Sequence, residues 1–124
     1  MSLQMITKNF SKSELSCHCG CGLMPLPDAV NKLQQMREIA NFAFPILSAA
    51  RCKAHNTNEG GAEHSKHTYG MAFDIGVTGS RQYDILKLAH AFGFHGIGVA
   101  EEFIHIDIRS ESERTIWTYP TKRK

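Results

Sequence analysis

Three residues with metal-binding chemistry stand in two separated stretches of this chain. His67 and Asp74 lie in His64-Ser65-Lys66-His67-Thr68-Tyr69-Gly70-Met71-Ala72-Phe73-Asp74-Ile75, and His105 lies in Phe103-Ile104-His105-Ile106-Asp107-Ile108-Arg109. The second stretch alternates in the manner of a strand, with Ile104, Ile106 and Ile108 on one face and Phe103, His105, Asp107 and Arg109 on the other. The first passes from a glycine-rich loop, Glu59-Gly60-Gly61, into an apolar run from Met71 to Val77 that also reads as a strand. An imidazole and a carboxylate in the middle of strands are costly to bury unless something compensates. A zinc ion held by His67, Asp74 and His105 supplies that compensation. Three protein ligands leave the fourth position of a catalytic zinc open to water, whereas a structural site is closed by four. Taken singly, each residue has an ordinary alternative: a loop cap for His67, a strand-end hydrogen bond for Asp74, a satisfied core histidine for His105. Taken together, they favour the metal.

The surrounding residues strengthen this reading through a resemblance. The run Leu47-Ser48-Ala49-Ala50-Arg51-Cys52-Lys53-Ala54-His55-Asn56 comes first, then Gly60-Gly61, then Ser65-x-His67-x-x-Gly70-x-Ala72-x-Asp74-Ile75. Gly96-Ile97-Gly98 and Ile104-His105-Ile106-Asp107-Ile108-Arg109 complete it. In this order they resemble the LAS-type zinc metallopeptidases, the D-Ala-D-Ala carboxypeptidases and the L-Ala–D-Glu endopeptidases of phage lysins. The likeness runs from near Phe10 to Tyr119, nearly the whole chain.

The resemblance implies a zinc-dependent hydrolase acting on peptidoglycan stem peptides. Zinc lowers the pKa of a bound water to about 7 and polarises the scissile carbonyl. A base must still take the water proton and return it to the leaving amine. The family carries an acidic residue three positions before its last zinc histidine, and Glu102 holds that place here. Strict pleating turns Glu102 away from His105, so this role needs an irregular backbone at the strand start. Glu101 is the reserve and Asp107 the third candidate. Arg51 matches the family arginine that meets the oxyanion or the substrate carboxylate, a task suited to a planar guanidinium. Asp107 would orient Arg51 or a zinc histidine. Ser65 falls at a position near the substrate or the ligand loop, and His55, Asn56 and His64 would fix that loop. His64 and His67 could form a ligand doublet, of which the pattern favours His67. Trp117 and Tyr119 more often pack a core, yet the family places an aromatic along the cleft here. His90 and His95 read as structural or surface residues.

The elements that must position these groups follow from periodicity and capping. Ser11-Lys12-Ser13-Glu14 is a capping box opening a short helical turn. Pro27-Asp28 starts a helix whose stripe is Val30, Leu33, Met36, Ile39 and Ala40. Phe44 to Ser48 reads as a short strand leading to Arg51, and Lys53 to Glu63 as a long loop. Ser80 caps a second helix, Arg81 to Phe92, with Tyr83 or Ile85, Leu86, Leu88, Ala89 and Phe92 buried and Gly93 as its stop. Ile97 to Val99 and Phe103 to Ile108 form a hairpin, and Thr115 to Tyr119 a last strand. Helices and strands are segregated, so the expected class is α+β, a small central antiparallel sheet flanked by helices.

Four cysteines, Cys17, Cys19, Cys21 and Cys52, are left over by the chemistry above. They permit a structural disulfide from the loop to Cys52 beside Arg51, or a second, structural zinc with His18 as a further donor. Free buried thiols are the third option, and spacing alone does not choose.

At 124 residues the chain is a single domain, 1–124, with residues 1–9 a leader or extended segment. The net charge of +2 argues against nucleic acid, and the basic end Lys122-Arg123-Lys124 reads as a solvated terminus. No run approaches the ~20 apolar residues of a membrane helix. The N-terminus lacks a secretory leader, so a cytoplasmic product is expected, reaching the cell wall after release if it is a phage lysin. A monomer is expected. Two other functions compete. A non-haem iron oxygenase would use His105-x-Asp107, but no histidine follows Asp107 to complete its triad. The stronger rival is a non-catalytic, zinc-containing module of the same fold that binds cell-wall peptide or a protein partner.

Overall fold

A computed structural model describes residues 4–58 and 65–121. Expectations placed on Glu59, Gly60, Gly61, Glu63, His64 and the basic terminus lie outside the described residues. Among the described residues four helices and five strands follow in the order α1 (Lys12–Leu15), α2 (Pro27–Ala40), β1 (Ile46–Ser48), α3 (Lys53–Asn58), β2 (Ala72–Ile75), α4 (Ser80–Ala91), β3 (Gly96–Val99), β4 (Ile104–Asp107) and β5 (Thr115–Thr118). A 3-10 turn, Lys66–Tyr69, precedes β2, and another, Glu111–Glu113, precedes β5. The class is α+β, as expected. Among the described residues no helix is long and apolar enough to cross a membrane.

Local chemistry explains most of the boundaries. Glu14 N donates to Ser11 Oγ at 3.3 Å while Ser11 N donates to the Glu14 carboxylate at 3.2 Å, so the capping box forms and opens α1. Pro27 sits in the first turn of α2, where its missing N–H costs nothing. Val30, Leu33 and Met36 are buried, but Ile39 is 62% exposed. From Val30 to Ile39 the helix makes about two and a half turns, which carries Ile39 to the far side of the stripe. In α4 the buried pair is Ile85 and Ala89, while Tyr83 is exposed. Ser80 is the first helical residue, and Gly79 occupies the cap without a side-chain hydrogen bond. The expected loop after Cys52 begins instead with α3, because Cys52 caps it: its carbonyl accepts from Asn56 N at 2.8 Å and its sulfur faces His55 N at 3.4 Å.

The sheet has the order β1-β2-β4-β3-β5. Its first four strands are antiparallel, whereas β5 runs parallel to β3, so the sheet is mixed rather than purely antiparallel. The reason is occupancy. When the chain leaves β4, both neighbouring places are filled by β2 and β3. After the 3-10 turn it runs back antiparallel to β4, but one strand further out, and that direction is parallel to β3.

Register then divides the sheet chemically. One face carries Phe73, Ile75, Ile97, Ile104 and Ile106, buried in one cluster with Val30, Leu33 and Met36 of α2 and Ile85 and Ala89 of α4. Burying each large aliphatic side chain contributes roughly 1.5–3 kcal/mol, so this face anchors the fold. On the opposite face one row crosses all five strands: Ser48 beside Asp74, Asp74 beside His105, His105 beside Gly98, and Gly98 beside Trp117. The next row pairs Ala72 and Gly96 with Asp107. Polar groups therefore collect on one side because side chains alternate, and the apolar layer behind them holds their backbones still.

Candidate metal centre

Two strands and one turn deliver the three expected ligands to one point. Asp74 and His105 are direct cross-strand partners on β2 and β4. His67 comes from the 3-10 turn, where Ser65 Oγ accepts from His67 N at 3.2 Å and the Ser65 carbonyl accepts from Thr68 Oγ1 at 2.6 Å. Ser65 thus shapes the turn that presents the ligand. His67 Nε2 lies 3.1 Å from Asp74 Oδ2, and His105 Nδ1 lies 3.0 Å from Asp74 Oδ1. Ligand atoms of all three residues fall within 4.8 Å of one another. The two imidazoles stand edge to face, with centroids 5.1 Å apart.

Each ring has its remote nitrogen tied down. His67 Nδ1 is 2.7 Å from the Ala49 carbonyl, and His105 Nε2 is 2.7 Å from Asp107 Oδ2. A carbonyl can only accept, so His67 carries its proton on Nδ1 and turns a lone pair toward Asp74. His105 has a carboxylate oxygen at each ring nitrogen, Asp107 Oδ2 at 2.7 Å and Asp74 Oδ1 at 3.0 Å, so a cation on the Asp74 side would leave its one proton on the Asp107 side. Both inward nitrogens then face carboxylate oxygens, an arrangement that repels unless a cation or a proton sits between them. His67 Nε2 is buried and has no hydrogen bond among the described residues. Two imidazole nitrogens and a carboxylate with such an orphaned lone pair fit a zinc ion.

The electrostatics follow. In the metal-free chain burial alone would raise the Asp74 carboxyl, but the imidazoles of His105 and His67 at its two oxygens outweigh it and hold the group well below the carboxylate range. For His105, burial opposes the charged ring, yet Asp107 and Asp74 together push its pKa up. Asp107 is likewise held low, burial being overcome first by Arg109 and then by His105.

Asp107 contacts the ring of His105, and the arginine it holds is Arg109 rather than Arg51. Arg109 Nε and Nη2 donate to its two oxygens at 2.8 and 2.9 Å. The same guanidinium lies 5.1 Å from the Trp117 ring. Arg109 shares the strand parity of His105 and Asp107, which was the signal for it in the sequence. The Ala49 carbonyl carried no such signal, because a backbone acceptor is invisible to residue type.

Of the remaining candidates, Arg51 and Trp117 adjoin this centre, whereas Glu102 lines a neighbouring cleft. Arg51 N donates to the His67 carbonyl at 3.1 Å, and its buried Nε has no partner among the described residues. Trp117 stacks 5.1 Å from His105 and 6.2 Å from Tyr119, and Tyr119 is 5.1 Å from Phe103. These rings wall one side of the centre. Two glycines make room for that wall: a Cβ on Gly98 would come within 2.7 Å of the Trp117 ring, and one on Gly96 would collide with Asp107 and Arg109. Glu102 is exposed in a bend before β4, lining a cleft with Glu101, Phe103 and Tyr119. It makes no hydrogen bond or ion pair among the described residues. The pleat does not reach it, since β4 begins only at Ile104. Gln82, unremarked in the sequence, fixes that bend from α4: its Nε2 lies 2.8 Å from the Val77 carbonyl, 3.0 Å from that of Ala100 and 3.1 Å from that of Phe103.

A second group assembles from the four cysteines, whose sulfurs all lie within 4.8 Å of one another. All four are free thiols, with Cys17 and Cys19 sulfurs 3.4 Å apart and those of Cys19 and Cys52 3.6 Å apart. Of the three options left open, the disulfide is absent among the described residues, and His18 is not one of the group. Burial raises the Cys17 thiol, but backbone N–H groups of Cys52 and Cys19 overcome it and bring the pKa down to about 6. Cys19, beside that thiolate, is pushed up to about 12.

No curated protein matches this chain. A family model described as Peptidase M15 matches residues 8–107, which span α1 to the end of β4 and include His67, Asp74, Glu102 and His105. With that match over most of its length, the chain belongs to the peptidase M15 family, the LAS-type zinc metallopeptidases.

Proposed function

We propose that the protein is a zinc peptidase that hydrolyses peptidoglycan stem peptides, either releasing a terminal D-Ala or cutting the L-Ala–D-Glu bond. The observation that carries this reading is the convergence of His67, Asp74 and His105 with each imidazole's outer nitrogen already committed. Zinc bound by these residues supplies a Lewis acid for the scissile carbonyl and a water nucleophile at neutral pH.

The chain's own groups do the rest. Ala49 and Asp107 keep the imidazole protons on the far side of the rings, so that both inward lone pairs stay available. Asp107 itself is kept charged by the paired hydrogen bonds from Arg109. Glu102 takes the proton of the attacking water at its carboxylate and hands it to the leaving amine. Its freedom from other partners suits a group that must bind and release a proton. The unpartnered Nε of Arg51 offers a donor to the carboxylate or the developing oxyanion of the substrate. Trp117, Tyr119 and Phe103 limit access of water from the β5 side.

The test is digestion of purified peptidoglycan and of defined muropeptides by zinc-loaded protein, with mass spectrometry of the products. New amino termini at D-Glu mark an endopeptidase, and free D-Ala marks a carboxypeptidase. Stoichiometric zinc with neither product overturns the proposal and leaves a cell-wall or protein-binding module of the same fold.

A further inference from the structure

We propose that Cys17, Cys19, Cys21 and Cys52 form a second metal site, a closed tetrathiolate that holds one structural zinc ion apart from the His67–Asp74–His105 centre. Four soft sulfur donors without an open position are the ligand set of structural zinc. Zinc–sulfur bonds of about 2.3 Å place the corners of a tetrahedron roughly 3.8 Å apart. The sulfurs here meet that scale, at 3.4 Å for Cys17 to Cys19 and 3.6 Å for Cys19 to Cys52, with every pair within 4.8 Å. A cage of this size admits one ion and is too tight for a cluster of several.

The backbone is arranged for the site. Gly20 and Gly22 both have φ of +87°, in the left-handed region, although a Cβ at either would meet nothing within 4 Å. Glycine is therefore needed at these positions for conformation rather than for space. The curl they permit brings Cys17, Cys19 and Cys21 to one side of a loop closed by Gly20 N donating to the Cys17 carbonyl at 3.1 Å. Main-chain donors already aim at the sulfurs: Cys52 N lies 3.3 Å from Cys17 Sγ and His55 N lies 3.4 Å from Cys52 Sγ. Such N–H groups offset part of the double negative charge that four thiolates and one divalent ion carry. As the ion binds, each thiol gives up its proton to solvent and no electron is transferred.

The position gives the site a purpose. Cys52 follows Arg51 and lies three residues beyond Ala49, whose carbonyl holds His67. The Ala50 N–H also donates to the Leu15 carbonyl, at 3.2 Å. An ion shared between loop 17–22 and Cys52 thus clamps the N-terminal segment to the backbone that orients a catalytic ligand.

The experiment is elemental analysis of the full chain purified under reducing conditions without chelator, together with cobalt substitution. Two zinc ions per chain are expected in the native protein, and one in a variant carrying both His67→Ala and His105→Ala. Cys21→Ser, at an exposed position, should release the other ion while leaving one. Cobalt in the native chain should give intense thiolate-to-metal charge-transfer absorption that a mercurial thiol reagent abolishes, a readout that needs no variant to fold. A single zinc with four freely titrating thiols overturns the proposal. So does an intact mass short of the hydrogens lost to a disulfide, or iron in place of zinc.

Discussion

His105 Nε2 stands 2.7 Å from Asp107 Oδ2, on the side of the ring opposite Asp74. The two residues are neighbours on one strand face, so the ligand carries its own orienting carboxylate two positions along. Replacing Asp107 by Asn keeps the shape but weakens the acceptor and its hold on Arg109. Zinc affinity should fall roughly tenfold to a hundredfold, measured by chelator competition. Unchanged affinity would mean that the pleat alone positions His105.

The base and the ligands should separate in their effects. Glu102→Gln should keep stoichiometric zinc while turnover falls on the order of a hundredfold to ten-thousandfold. His67→Ala should lose both zinc and turnover. A Glu102 variant that works at the native rate would transfer the role to Glu101.

Gln82 should matter without touching substrate. With its amide removed in Gln82→Ala, the carbonyls of Ala100 and Phe103 lose their common anchor. A fall in kcat with zinc content intact is the expected outcome, since Glu102 sits between them. A change confined to thermal stability would make Gln82 a mere brace of α4.

Acidity should act oppositely on the metal-free and zinc-loaded protein. In the metal-free state Asp74 and Asp107 are held below their ordinary value of 3.8, so their contribution is present above that pH and is lost as pH falls through the depressed values. His105 is raised above 6.5, so its contribution is complete below 6.5 and disappears as pH rises through the raised value. Metal-free stability should therefore peak between about pH 4 and 6.5. Zinc requires neutral imidazoles, and its contribution grows as pH rises. The gap in Tm between the two forms should widen from pH 5 to pH 8, and a constant gap would contradict the coupling.

Trp117 is the only tryptophan in the chain, so its fluorescence reports on the cleft wall alone. Gly98→Ala places a methyl group 2.7 Å from its ring. The ring should move outward, with red-shifted emission and easier quenching by iodide, and stability should drop by about 1–3 kcal/mol. An unaltered spectrum would show that the wall yields elsewhere.

Much of this was readable from residue order. Alternation in Ile104 to Asp107 revealed both the core face and the site face, because a strand's period is fixed by its covalent geometry. Residue types and the family resemblance singled out His67, Asp74 and His105, which the fold brings within 4.8 Å of one another, and the capping box at Ser11 and Glu14 needed only local chemistry. What stayed hidden depends on partners distant in the chain. Parallel pairing of β5 follows from β2 and β3 occupying both sides of β4, a fact of topology. Ile39 continues a spacing of three from Val30, but three such steps rotate the position by about half a circle, out of the buried stripe. Arg109 as the holder of Asp107, Ala49 as the acceptor for His67, and Gln82 as the anchor of the 100–103 bend are all relations across space.

β5 is joined to the sheet along one edge only, beyond the segment that the family match covers. It places Trp117 5.1 Å from His105 but supplies none of the three clustered donors, and among the described strands only β3 pairs with it. β5 therefore carries an aromatic neighbour of His105 on a strand whose loss would leave the pairing of β2, β4 and β3 intact. A foreign segment grafted in place of residues 110–121 should keep His67, Asp74 and His105 together, so long as it satisfies the exposed edge of β3 and replaces the Trp117 contacts with His105 and Arg109.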